Sequence, residues 1–72
     1  MVLTPANGRD YDSQVDVLAG FNSDQDFKVQ SEGRLVNRAA VEAEGVDSVR
    51  IRYHQLSRIV ILDRVDGRWV LP

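Results

Sequence analysis

The chain has 72 residues, a formal net charge of −2, no cysteine and a single histidine. A chain of this length builds one thin hydrophobic core, and without cysteine it has neither disulfides nor thiolate metal sites to reinforce that core. Hydrophobic residues make up 43% of the sequence and charged residues 28%, which is typical of folded rather than disordered chains. The composition favours a small folded protein stabilised by close packing or by self-association.

The first ten residues contain an Asn7-Gly8 turn signal but no hydrophobic periodicity, which predicts an extended N-terminal arm over residues 1–10. Regular patterns begin near Tyr11. We therefore expect residues 11–72 to form a single α+β domain, with two short helices packed on an antiparallel sheet.

The first helix is predicted from its start signal. Ser13 followed by Asp16 fits an N-cap, because the hydroxyl accepts from a free backbone amide and the acid favours the helix start. The helical spacing places Val15, Leu18 and Phe21 on one face, which we expect to be buried.

The second helix is predicted from signals at both ends. Asn37 can cap a helix from Arg38 to Glu44, and Gly45 suits the left-handed residue that ends it. Val36 and Val41 stand at the two positions of a hydrophobic staple.

Two groups of strands are expected. Asp26–Gln30 and Arg34–Val36 alternate apolar and polar residues around a glycine turn, which predicts a hairpin. In the last third, residues 49–53 alternate, residues 58–65 are rich in β-formers, and Asp66-Gly67 marks a two-residue turn into Arg68–Leu71. These patterns predict a C-terminal three-stranded meander.

The first loop of the meander decides which side chains share a face. With Gln55–Ser57 as that loop, one face carries Val49, Ile51, Tyr53, Ile59, Ile61, Val65 and Val70, which would pack against the helices. The opposite face then mixes Arg50, Arg52, His54, Arg58 and Arg64 with Val60, Leu62, Trp69 and Leu71. A shift of one residue in the loop would redistribute the arginines.

The candidate binding residues lie on that second face: Arg50, Arg52, His54, Arg58, Arg64 and Trp69. Guanidinium groups bind phosphates or carboxylates, and aromatic rings stack on nucleobases. Two structural interpretations stay open. Arginine on an exposed strand is ordinarily solvated, and Trp69 can be a packing residue beneath Arg64.

No catalytic or metal-binding pattern is complete in the sequence. Asn22, Asp24 and Asp26 alternate like the first ligands of a calcium loop, but the turn glycine and the closing glutamate do not follow. His54 has no partner at a ligand spacing, and no nucleophile elbow or glycine-rich phosphate loop occurs. We therefore predict a protein that is not an enzyme and uses no metal, cofactor or small-molecule substrate.

Several short strings of the sequence together suggest a resemblance to known proteins: Gly8-Arg9-Asp10-Tyr11, Phe21-Asn22, Asp26-Phe27, Asn37-Arg38 and Arg52-Tyr53. Together they resemble a family of small uncharacterised proteins encoded by tailed bacteriophages and prophages, over most of the chain. That family has no assigned catalytic or binding residues. The resemblance implies a non-catalytic role in the bacterial cytoplasm or in a virion.

Two functional hypotheses follow. The first is a binding or assembly module that acts through protein contacts on the mixed arginine and apolar face, as a homo-oligomer. The alternative is a nucleic-acid-binding small β domain, in which the arginines contact phosphates and Trp69 or Tyr53 stacks on bases. Membrane association is not expected, because the longest apolar run, Ile59 to Leu62, is far shorter than the roughly 20 residues that cross a bilayer.

Overall fold

In the computed structural model of residues 1–72, two helices cover one face of a six-stranded sheet. The elements in chain order are β1 (Val2–Pro5), α1 (Gln14–Asn22), β2 (Phe27–Val29), β3 (Leu35–Val36), α2 (Arg38–Ala43), β4 (Ser48–Tyr53), β5 (Arg58–Val65) and β6 (Arg68–Val70). The strand order is β3-β2-β1-β4-β5-β6. This confirms the predicted α+β class with two helices, the hairpin (now β2–β3) and the C-terminal meander.

The N-terminal segment is an inner strand of the sheet. β1 pairs antiparallel with β2 and parallel with β4, and the side chain of Leu3 is fully buried in the core. The prediction of an extended arm over residues 1–10 is therefore wrong for Val2–Pro5, which form a strand of the sheet. The sheet is also mixed, whereas a purely antiparallel sheet was predicted. β1 was missed because it is too short to show an alternation and ends in Pro5, a residue that argues against a central strand.

Helix α1 begins where the sequence predicted, since the Asp16 backbone N–H donates to the Ser13 hydroxyl at 3.1 Å. Its buried face is rotated from the predicted one. Val17 and Phe21 are fully buried, whereas Val15 is 66% exposed. The ring of Tyr11 lies directly against Gly20, so this side of the helix turns toward the core.

Helix α2 has the predicted caps. The Ala40 backbone N–H donates to Asn37 Oδ1 at 2.9 Å, and Gly45 has the left-handed φ of +75°. Val36 and Val41 are both buried, as a hydrophobic staple requires. The helix stops at Ala43, one residue before the predicted end.

The core is organised around aromatic rings. Phe21 meets Trp69 edge to face with 5.0 Å between ring centroids, and meets Phe27 at 5.9 Å. Tyr11 stacks on the far side of Phe27 at 5.6 Å. These contacts join α1 to both wings of the sheet, and aliphatic side chains from β1, β4 and β5 fill the space between them.

The loop between β4 and β5 contains one residue more than predicted. Tyr53 pairs with Arg58, so the loop is 54–57 and the predicted loop, Gln55–Ser57, is wrong by one residue. Val60 therefore pairs with Ile51, and every side chain of β5 lies on the opposite face from the one predicted.

The carboxylate of Asp10, far away in sequence, stabilises this register. Its Oδ1 accepts the backbone N–H of His54 at 2.9 Å, and its Oδ2 accepts that of Gln55 at 2.6 Å. A third bond comes from the N–H of Tyr11 at 2.7 Å. These bonds draw His54 out of the strand and into the turn.

The turn that Asp10 holds has an unusual backbone. His54, Gln55 and Leu56 have φ values of 53°, 54° and 66°, so three successive residues with side chains are left-handed. This conformation costs roughly 1–2 kcal/mol for each L-residue. Successive left-handed residues also point their N–H groups to one side, where they form a nest for an anion. Asp10 supplies that anion from within the chain.

The Asp10 contact makes stability depend on pH. Backbone hydrogen bonds, that from Gln55 first and that from Tyr11 second, lower the pKa of Asp10 from its ordinary value of 3.8. A lowered folded pKa means that the stabilisation is complete above the unfolded pKa and is lost as pH falls through the folded pKa. We expect the melting temperature of the Asp10→Asn variant to be lower at pH 7 and to decline less than wild type below pH 4, measured by circular dichroism. If the melting temperatures of the variant and of wild type declined equally below pH 4, this role for Asp10 would be contradicted.

The contact between Tyr11 and Gly20 predicts an unusual glycine effect. A Cβ at position 20 would lie 2.6 Å from the Tyr11 hydroxyl oxygen, so Gly20→Ala should lower the free energy of unfolding by about 1 kcal/mol, although alanine favours helices. In a Tyr11→Ala background, the same substitution should raise it by about 0.5–1 kcal/mol. Urea denaturation of the four proteins measures both effects. If Gly20→Ala changed the free energy of unfolding with the same sign in both backgrounds, the contact between Tyr11 and Gly20 would be contradicted.

Candidate binding site on the open sheet face

The helices leave one face of the sheet uncovered, and we call it the open face. Strand register and side-chain alternation place these residues on it: Val2, Thr4, Lys28, Leu35, Ser48, Arg50, Arg52, Ile59, Ile61, Asp63, Val65, Arg68 and Val70. Several large apolar side chains are exposed there, including Ile59 at 52%, Ile61 at 41% and Val65 at 54%. The open face is therefore neither a covered core nor an ordinary polar surface.

The open face also differs in charge from the rest of the molecule. It carries four cationic side chains, Lys28, Arg50, Arg52 and Arg68, and a single acid, Asp63. That acid accepts a hydrogen bond from the Ser48 hydroxyl at 2.8 Å. Because the whole chain has a net charge of −2, the remaining surface is acidic. The open face is thus the positive side of a polarised molecule.

Two of the predicted site residues, Arg50 and Arg52, lie on the open face. Arg58 pairs with Tyr53, so its predicted place on the same face is wrong, but it stands at the end of β5 and reaches the same groove. Arg50, Arg52 and Arg58 line an open groove of about 270 Å³, together with Val2, Gln30, Leu56, Ser57 and Ile59. None of the three guanidinium groups has a carboxylate within 4.0 Å. Their charges are free to meet an external anion.

Two predicted site residues, Arg64 and Trp69, lie on the helix-covered face. Trp69 is only 4% exposed, and its indole N–H donates to Glu42 Oε2 at 2.8 Å. Arg64 is the cross-strand partner of Trp69, and its guanidinium lies 4.0 Å from the other Glu42 oxygen. Their predicted place beside Arg50 and Arg52 is wrong, because both side chains face Glu42 of α2, Arg64 from β5 and Trp69 from β6. The cross-strand pairing was predicted correctly, but the face was not, since the whole hairpin follows the register of β5.

His54 is also removed from the arginine surface. It lies in the β4–β5 turn, where its backbone N–H is bound by Asp10. Its ring Nδ1 is 3.7 Å from Asp12 Oδ1, at an exposed position. The structure therefore connects His54 with the N-terminal acids rather than with Arg50 and Arg52.

The exposed isoleucines of the open face were not predicted from the sequence. Ile59, Ile61 and Val65 were expected beneath the helices, but Val60 and Leu62 are buried there, at 4% and 0% exposure. All four residues from 59 to 62 are apolar, so either alternation gives a plausible core. Only the position of the turn decides between them.

The acids that resembled a calcium loop have other contacts. Asp24 lies 3.3 Å from the Arg38 guanidinium, and Asp26 accepts a hydrogen bond from the Asn7 amide at 3.1 Å. No group of three or more potential metal-binding side chains occurs in the structure. Neither helix has the length and hydrophobicity needed to cross a bilayer.

Comparison with protein-family models, with curated proteins and with solved structures gave no significant match. The resemblance to tailed-phage proteins therefore stays a prediction.

Proposed function

We propose that the protein is a non-catalytic binding module whose open face docks on an acidic, partly apolar surface of another protein. The observation that carries this proposal is the combination of exposed Ile59 and Ile61 with the unpaired guanidinium groups of Arg50 and Arg52 on the same uncovered face. A bacterial or virion setting, implied by the resemblance to phage proteins, belongs to the same proposal.

The apolar part of the open face supplies the affinity. Removing apolar surface from water is worth about 25 cal/mol per Å², and monomeric proteins seldom leave contiguous apolar patches uncovered. Ile59 and Ile61 follow one another on the same side of β5 and form a short apolar row, which Asp63 separates from Val65. A partner that covers this row gains binding free energy without any change in the fold.

The charged part favours an acidic partner. The arginines stand beside the isoleucine row, since Arg52 pairs with Ile59 and Arg50 pairs with Ile61 across the β4–β5 ladder. Cations around an apolar centre steer an oppositely charged partner and exclude a basic one. Stacking the open faces of two copies would bring the cations of both copies together, so a different protein fits this face better.

Protein is favoured over nucleic acid because the aromatic side chains are not accessible. Trp69 and Tyr53, the residues expected to stack on bases, are 4% and 3% exposed. Base stacking is a main source of affinity for single strands. Without it, the arginines offer nucleic acid only phosphate contacts, and the exposed isoleucines have no role.

Selection of peptides from a random library tests the proposal. We expect selected peptides to be rich in acidic and aliphatic residues, and Arg52→Glu to weaken their binding about tenfold, as measured by fluorescence anisotropy. Ile61→Ser should also weaken it. The matched control is Arg9→Glu, which changes the net charge equally but leaves the open face intact, and it should change the affinity less than twofold.

A single-stranded oligonucleotide of random sequence is the competing probe. Tighter binding of the oligonucleotide than of any selected peptide, with a steep loss between 50 and 200 mM salt, would contradict the proposal and support the nucleic-acid alternative. Equal effects of Arg9→Glu and Arg52→Glu on peptide binding would also contradict it.

A further inference from the structure

Strand β5 has a free edge beside the open face. β6 pairs only with residues 63–65, so the edge of β5 is uncovered from Arg58 to Leu62 on that side. The Arg64 N–H donates to the Asp47 carbonyl, which fixes the alternation of backbone groups along β5. The N–H and C=O groups of Ile59 and Ile61 therefore point away from β4, toward the free edge. No backbone hydrogen bond outside the ladders involves either residue.

Pro72 cannot extend the β5–β6 ladder along this edge. In the β5–β6 register, Val70 pairs with Asp63, so Pro72 would lie opposite Ile61. That position requires an N–H that points at β5, and proline has none. A groove of about 250 Å³ lies here instead, lined by Gln14, Ile59, Val60, Ile61, Leu71 and Pro72.

We infer that this free edge binds an extended segment of the partner protein as an added antiparallel β-strand. Backbone groups of Ile59 and Ile61 would pair with the backbone of the segment, in the way that peptides extend the sheets of other binding domains. The inference rests on the proposed function for the acidic character of the partner, and it adds the form in which the partner binds.

The surroundings of the edge define the side chains of the segment. On the open face, its side chains would lie beside Ile59 and Ile61, with Arg50 and Arg52 one strand further away, at about 10 Å. Acidic side chains there can meet the unpaired guanidinium groups across the isoleucines. On the other side, the segment meets Val60 and Leu71, which favour apolar side chains. The fitting ligand is an extended peptide that alternates acidic and apolar residues.

A second copy of β5 fits this edge less well. Antiparallel pairing centred on Val60 would place Ser57 of the second copy opposite Asp63. That position is already taken, because Val70 of β6 pairs with Asp63. A narrow peptide can leave the edge before reaching β6, whereas the turn of a second copy cannot.

The test uses a nine-residue acetylated peptide of alternating glutamate and valine, followed by NMR titration of the intact protein. In an antiparallel strand, the residues whose side chains lie beside Ile59 and Ile61 direct their N–H groups at β5. N-methylation of the central glutamates should therefore weaken binding at least tenfold. N-methylation of the central valines should change it less than twofold. If only the peptide methylated at the valines loses affinity, the result would also support edge binding, with the peptide parallel to β5.

A pair of protein variants gives an independent readout. Ile61→Pro removes the free N–H without removing a bond inside the sheet. Ile61→Ala also removes most of the isoleucine side chain, but it keeps the N–H. We expect the proline variant to bind the peptide at least fivefold more weakly than the alanine variant. If the proline variant does not fold, the methylated peptides still decide the question with the wild-type protein.

The outcomes separate the two proposals. Equal effects of both methylation patterns, with binding still lost in Arg52→Glu, would overturn edge binding and leave the open face as the docking site. If Arg52→Glu leaves the peptide affinity unchanged, while methylation of the glutamates weakens binding and methylation of the valines does not, the acidic docking proposal alone would be overturned. A wild-type dimer in sedimentation equilibrium that is lost in Ile61→Pro but kept in Ile61→Ala would overturn the peptide as the occupant, because a second copy would then fill the edge.

Discussion

The contact between the Asp10 carboxylate and the β4–β5 turn determines the character of both faces of the sheet. Two of its hydrogen bonds cross more than 40 positions of sequence to reach His54 and Gln55. They stabilise a run of left-handed residues that would be costly without an anion beside it. With His54 held in the turn, Tyr53 is the last residue of β4 and pairs with Arg58 at the start of β5.

That register determines which side chains of β5 and β6 are buried under the helices and which are exposed on the open face. Val60 and Leu62 face the helices, and Trp69 follows them onto that side through the β5–β6 hairpin. The isoleucines are left on the open face beside Arg50 and Arg52. The result is a molecule with a cationic, partly apolar open face and an acidic remaining surface, and this polarity underlies the proposed binding function.

The features that the sequence predicted correctly are those encoded by nearby residues. Ser13 and Asn37 cap helices through bonds to residues three positions away, and Asp66-Gly67 forms its hairpin turn alone. The features that it did not predict depend on contacts between distant residues. β1 exists because its neighbours β2 and β4 pair with it, and the buried face of α1 is set by the ring of Tyr11 against Gly20.

The candidate site shows the same division. Arg50 and Arg52 were placed correctly on the open face, since the alternation of β4 is unambiguous. The composition of the β5 face could not be predicted from the sequence, because Ile59 to Leu62 are apolar in both alternations. One residue in a turn then decides whether isoleucines or Trp69 accompany the arginines. A mixed arginine and apolar face was predicted and is present, but its apolar members differ, and of the predicted arginines only Arg50 and Arg52 lie on it.

Single-cysteine labelling of β5 tests this register most directly, because the chain has no cysteine of its own. Four variants, Ile59→Cys, Val60→Cys, Ile61→Cys and Leu62→Cys, would be reacted with a soluble thiol reagent under native conditions. The structure predicts fast labelling at positions 59 and 61, and labelling slower by roughly two orders of magnitude at 60 and 62, where reaction requires opening of the core. Fast labelling at 60 and 62 with protection at 59 and 61 would contradict the register, and with it the proposed binding face.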